Sequence, residues 1–128
     1  AEGMARWLLA GRPAEMVGPG GSLGAYDAVL VMGDASSSRT DKAPGHTNPA
    51  AIPFDDAVLA ALRHGDARAL AETDLELATQ VGAAGAPAWV SLAEQVAQVQ
   101  SASVDVATAP FGVLYVVARW TVRWADPA

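Results

Sequence analysis

The residues best equipped for chemistry fall in one segment, Gly33-Asp34-Ala35-Ser36-Ser37-Ser38-Arg39-Thr40-Asp41-Lys42-Ala43-Pro44-Gly45-His46. It holds hydroxyls, two cations, two carboxylates and an imidazole. Arg39 and Lys42 offer charge to an anion, and Ser36 and Ser37 offer hydrogen bonds. The same composition suits a solvated loop in which Ser and Asp satisfy their own backbone. The Gly-x-x-x-x-Gly-Lys spacing of a phosphate loop is absent. Asp34, Ser37 and His46 have the side-chain types of a nucleophilic triad, yet no Gly-x-Ser-x-Gly turn presents the serine. The candidate cleft is therefore Asp34, Ser36, Ser37, Arg39, Lys42 and His46. All six are ligand-binding candidates, and no residue is assigned as catalytic or as a metal ligand.

His64 is the other histidine. It falls at the end of a helical pattern, where an imidazolium complements the helix dipole. A metal site normally needs three or four ligands. There is no cysteine, which removes disulfides, thiolate zinc sites and cysteine nucleophiles.

The elements that must position this segment follow from periodicity. Tyr26 to Met32 is a short apolar run, the pattern of a buried strand in a parallel sheet. It ends at Gly33-Asp34, and ligand sites in α/β sheets gather past such strand ends. Asp34 to Pro53 is a long polar loop, a length that is usually functional or disordered. Gly3 to Ala10 reads as a helix with Met4, Trp7 and Leu8 on one face, followed by a Gly- and Pro-rich connection through Gly21. Pro53-Phe54-Asp55-Asp56 opens a second helix, with both aspartates at the positive end of its dipole and Gly65 as its stop. Asp66 to Glu72 forms a further short helical segment. Thr73-Asp74-Leu75-Glu76 matches a capping box for a helix that buries Leu75, Ala78 and Val81 and ends at Gly82. Pro87 starts a helix whose apolar stripe is Trp89, Leu92, Val96 and Val99. Two strands close the chain: one with Val104 and Val106, then a Pro110-Phe111-Gly112 turn, then Val113 to Val122. Leu114, Val116, Ala118, Trp120 and Val122 share one face of the second strand, and Arg119 and Arg123 share the other.

The expected fold class is α/β: a single layered domain over residues 1–128, with a small mixed sheet, flanking helices and a C-terminal β-hairpin. The 128 residues fit one domain, and 52% are hydrophobic. Many of these are alanine, so the core should rest on Trp7, Phe54, Trp89, Phe111, Tyr115 and Trp120. A sheet this small leaves long edges, which predicts a homo-oligomer or a partner segment that completes it. The net charge is −6, with 14 acidic groups against 8 Lys and Arg, which argues against nucleic acid. No apolar run approaches the roughly 20 residues of a membrane span, and no basic-then-apolar leader opens the chain. A cytoplasmic protein is expected.

From this point the chain resembles a known family. Val31-Met32-Gly33-Asp34-Ala35-Ser36 followed by Arg39-Thr40-Asp41-Lys42-Ala43-Pro44-Gly45 is similar to the bacterial LigB-like proteins of the class III extradiol ring-cleavage dioxygenase superfamily, which includes the Memo-like proteins. The likeness continues through Asn48-Pro49, Pro53 to Val58, Ala60-Ala61-Leu62 and Gly65-Asp66. It resumes at Ala83-Ala84-Gly85-Ala86-Pro87 with Trp89, and ends with Ala109 to Val113, Tyr115 to Ala118 and Trp120. The ordered run covers nearly the whole chain and corresponds to the C-terminal half of a member.

The resemblance implies a ferrous iron held by two histidines and a carboxylate in active members. Those histidines belong to an N-terminal part of the pattern with no counterpart in this chain. Active members carry a Ser-His pair after the strand; the comparable residues here are Ser36 and Ser37. A serine hydroxyl does not titrate near neutral pH and cannot replace an imidazole base. The third ligand region, Thr79 to Gly85, offers Gln80, Ala83 and Ala84.

Three readings follow. The first is a degenerate, non-catalytic member serving as a scaffold or small-molecule binding domain, with no cofactor of its own. The second is the C-terminal part of an extradiol dioxygenase, with Fe2+ ligands from an N-terminal half or partner subunit. The third is an anion-binding module using Arg39 and Lys42. The expected ligand is a small aromatic or anionic molecule.

Overall fold

The computed structural model describes residues 7, 9–37, 48–109 and 113–125. The expected first helix lies mostly outside these residues, as do the Pro110-Phe111-Gly112 turn and the side chains of Arg39, Lys42, His46 and Phe111. The described elements are four helices, α1 (Ala51–His64), α2 (Ala67–Ala71), α3 (Leu75–Gln80) and α4 (Ala86–Glu94), followed by strands β1 (Val96–Thr108) and β2 (Tyr115–Trp124). The class is α/β with a C-terminal hairpin, as the sequence predicts.

Helix α1 begins two residues before Pro53. The Asn48 side chain accepts a hydrogen bond from Ala50 N–H at 2.9 Å, and its carbonyl accepts one from Ala51 N–H at 3.0 Å, which turns the chain into the helix. Pro53 sits within the first turn, where its missing N–H interrupts no intrahelical bond. Asp55 consequently falls in the second turn, and the first turn holds no acidic residue. The expectation that Asp55 and Asp56 serve the helix dipole is corrected, because that effect fades beyond the first turn. Gly65 closes α1 in the left-handed region at φ 66°, where a side chain would be strained.

Asp66 caps α2 by accepting from Ala69 N–H, and Asp74 caps α3 by accepting from Leu77 N–H. The capping residue of α3 is thus Asp74 and not Thr73. The Thr73 hydroxyl instead donates to Leu70 carbonyl and accepts from the Trp89 indole N–H. Leu75 is exposed, whereas Ala78 and Val81 are buried as their spacing predicts.

The apolar stripe over Trp89, Leu92, Val96 and Val99 divides between two elements. Helix α4 stops at Glu94, and β1 starts at Val96. The pairing explains the misleading period. β1 and β2 are antiparallel, with register shifts between Val96 and Gln98, Val99 and Ser101, and Val104 and Val106. Each shift inserts one unpaired residue. A bulge converts the two-residue repeat of a strand into a local three-residue step, so the half-buried Val96, Val99 and Ala102 imitate one helix face. β2 has no such interruption. Its Leu114, Val116, Ala118, Trp120 and Val122 face inward and Arg119 and Arg123 outward, as predicted.

The strand expected over Tyr26 to Met32 is not formed. The sheet of described residues has two strands, ordered β1-β2. Residues 28–36 run without ladder bonds, with Val29 and Val31 half-buried and Leu30 exposed. An apolar run signals a wish for burial, but a strand also needs an edge to pair with. Here the run lies across a hollow from the inner face of the hairpin. The outer edges of β1 and β2 have no ladder partner among the described residues.

The core is small-residue rich. Ala51, Phe54, Val58 and Ala61 of α1 meet Leu70, Ala78, Val81, Ala86, Trp89 and Ala93. The Phe54 and Trp89 rings are 6.4 Å apart at 42°, a favourable tilted contact. Of the other large residues expected inside, Trp120 is partly buried, while Trp7 is 74% exposed and Tyr115 52%. Tyr115 belongs to the outward half of the β2 alternation.

Candidate functional site

The segment singled out by its chemistry begins as a stitched-down strap. Asp34 carbonyl accepts from Gly85 N–H at 2.9 Å, and Ser37 N–H donates to Val81 carbonyl at 3.0 Å. Between them Ser36 is wholly buried. Its N–H donates to Asp55 Oδ1 at 3.0 Å and its hydroxyl to Asp55 Oδ2 at 2.7 Å. Asp55 is wholly buried too. A buried carboxylate is costly unless its oxygens are satisfied, and the strap supplies two of the donors it needs.

Glycines make the close approach possible. A Cβ on Gly85 would lie 2.2 Å from the Gly33 and Asp34 backbone, and one on Gly82 would lie 2.1 Å from Ser37 Oγ. The strap is thus clamped on one side by α1 through Asp55 and on the other by the chain linking α3 to α4. Residues 33–37 and the 79–85 stretch are thereby held side by side. Within the second, Gln80 and Ala84 are exposed and Ala83 is buried.

Of the six candidate residues, Asp34 is exposed, Ser36 is buried against Asp55, and Ser37 is half-buried against the Val81-Gly82 turn. The Ser36 hydroxyl proton is thus donated to a carboxylate inside the fold. Arg39, Lys42 and His46 lie outside the described residues.

A hollow lies beside the strap, which lends it Gly33 and Ala35. A cleft of about 480 Å³ opens between residues 27–35, helices α1 and α4, and the inner face of the hairpin. Its walls include Val29, Val31, Val58, Leu92, Val116 and Val122, together with Trp89, Trp120 and Trp124. Two of these indoles have their N–H committed elsewhere: Trp89 to Thr73 Oγ1 at 3.1 Å and Trp120 to Leu62 carbonyl at 2.8 Å. The cleft is thus walled largely by ring carbon and aliphatic side chains. Its polar lining residues are Asp27 and Thr121, and Trp124 adds a third indole N–H. Sequence reasoning missed it because its walls come from five separate parts of the chain. The one available signal was the inward alternation of β2, which supplies Val116, Ala118, Trp120 and Val122.

Toward the N-terminal side of this cleft, the Tyr26 hydroxyl donates to the Glu15 carboxylate. That bond, with smaller contributions from desolvation and the nearby negative charge, holds the Tyr26 phenol above the usual tyrosine range. Leu23 N–H donates to Gln95 Oε1 at 2.7 Å, and Gln95 Nε2 donates to Gly21 carbonyl at 2.9 Å. This double bond fastens the 21–23 loop at the point where α4 becomes β1.

No helix among the described residues is long and apolar enough to cross a membrane. No family model matches the chain, and no curated protein and no solved structure is found similar to it.

Proposed function

We propose that this chain is a non-catalytic, small-molecule-binding domain related to the class III extradiol ring-cleavage dioxygenases, with the apolar cleft as its ligand site. The observation that carries this reading is the three-tryptophan cleft of about 480 Å³, within the size range of small-ligand sites. The strap supports it from the other side. Gly33, Ser36 and Gly85, residues that carry the family likeness, are used here for close packing and for satisfying Asp55. The motif thereby maintains the framework, and Ser36 is not poised to move a proton.

Titration with small aromatic molecules such as catechol, followed by quenching of tryptophan fluorescence, tests the reading. Saturable quenching that is weakened by Val116→Trp, which fills the cleft, is expected. A linear, unsaturable response would remove the ligand site.

A second reading has one observation in its favour. Both outer edges of the hairpin are unpaired among the described residues, as they would be if an N-terminal half or partner subunit completed the sheet and supplied ligands for Fe2+. Ferrous iron with catechol-dependent oxygen uptake by the native full-length gene product would favour this second reading over the first. Homo-oligomerisation through the same edges, and anion binding by Arg39 and Lys42, are further proposals.

A further inference from the structure

We propose that the cleft selects a cation: a small amine whose apolar body packs among Trp89, Trp120 and Trp124 and whose ammonium meets the Asp27 carboxylate. This rests on the reading of the cleft as a ligand site and names the class of ligand it takes.

Charge decides the class. Among the described residues Asp27 is the one ionisable residue along the cleft wall, and it is exposed, which places it on the solvent side. None of the described arginines lines the cleft. Arg119 faces outward and is held by Asp105, and Arg123 is also exposed. The chain carries a net charge of −6, so the wider field also favours a cation.

Donor supply points the same way. An anion entering the cleft would need N–H or O–H groups to replace its water. The Trp89 and Trp120 N–H groups are already donated within the protein, which leaves the Trp124 N–H and Thr121, a residue of the outward half of β2, as the side-chain donors among the described lining residues, neither of them cationic. A cation needs no donors. It is attracted to indole faces, with tryptophan the strongest aromatic partner.

Phenethylamine, phenethyl alcohol and phenylacetate share one apolar body and differ in charge, so calorimetric titration of each separates the possibilities. The amine is expected to bind about five-fold more tightly than the alcohol, the size of effect for an exposed charge pair aided by a ring face, and phenylacetate is expected to bind most weakly. Asp27→Asn should bring the amine to the level of the alcohol and leave the alcohol unchanged, and high salt should do the same. Equal affinity for amine and alcohol, or indifference of the amine to Asp27→Asn, overturns the cation preference while leaving the cleft as a ligand site. Failure of all three ligands to bind overturns both.

Discussion

Asp55 takes two hydrogen bonds from Ser36, nineteen residues away in sequence, and both residues are wholly buried. The pair ties the strap at 33–37 to the second turn of α1, and it is the one place in the described core where a carboxylate is fully enclosed. Its geometry makes the two residues unequal. Removing the carboxylate strands an N–H and a hydroxyl, whereas removing the hydroxyl leaves one carboxylate oxygen short of one donor.

Asp55→Ala should therefore destabilise the domain by about 3 kcal/mol and Ser36→Ala by about 1–2 kcal/mol, the ranges for stranding buried groups and for losing one charge-assisted bond. Urea denaturation of both single variants and the double variant measures this. A double variant no worse than Asp55→Ala would show the expected coupling, and strict additivity would contradict it.

Gly85→Ala should be among the worst single-methyl additions in the chain. The new Cβ meets backbone atoms of Gly33 and Asp34 at 2.2 Å, and backbone cannot rotate aside, so a loss of about 3 kcal/mol is expected, at the upper end for overpacking. Gly82→Ala meets the movable Ser37 hydroxyl at φ 72° and should cost less, about 1–2 kcal/mol. Thermal melts that ranked the two in the opposite order would contradict the clamp.

Trp120→Phe removes the N–H that Leu62 carbonyl accepts while keeping an aromatic ring in the cleft. A loss of about 1 kcal/mol is expected. By contrast, Arg119→Ala breaks a bidentate pair with Asp105, the extra residue of the third bulge. That pair is exposed, so its removal should cost less than the loss of the Trp120 anchor. Chemical denaturation of the two variants distinguishes a buried anchor from a surface one.

The Tyr26 phenol is held above its ordinary range chiefly by its bond to Glu15. A raised value means that the neutral phenol is favoured in the fold. Its contribution is complete below the ordinary tyrosine value and lost as pH rises through the raised one. Ultraviolet titration of the two tyrosines should show one ionising late, and Glu15→Ala should bring it down. An unchanged titration curve would show that the Glu15 bond does not form in solution.

The hairpin shows where sequence reasoning succeeds and fails. β2 alternates without interruption, so Val116, Ala118, Trp120 and Val122 were legible as one face from their spacing. β1 contains three extra residues, and its Val96–Val99 step copies a helical period. A bulge is defined by what the partner strand does, so no local pattern distinguishes it from a helix turn. The same limit applies to the site. Ser36 was picked out by its chemistry, but whether its hydroxyl faces a ligand or Asp55 depends on how α1 packs.

What the sequence determined by itself were the features whose causes act over a few residues. The box at 73–76 signalled a helix start, though Asp74 and not Thr73 caps it, Gly65 and Gly82 take left-handed angles at helix ends, and Pro87 falls in the first turn of α4. Tertiary structure alone decided that Asp55 is a buried acceptor, that Asp27 to Val31 of the apolar run wall a cleft and pair with no strand, and that three tryptophans from α4 and β2 share one hollow. Those outcomes depend on which distant surfaces meet, and the energy of such a meeting belongs to neither segment until both are in place.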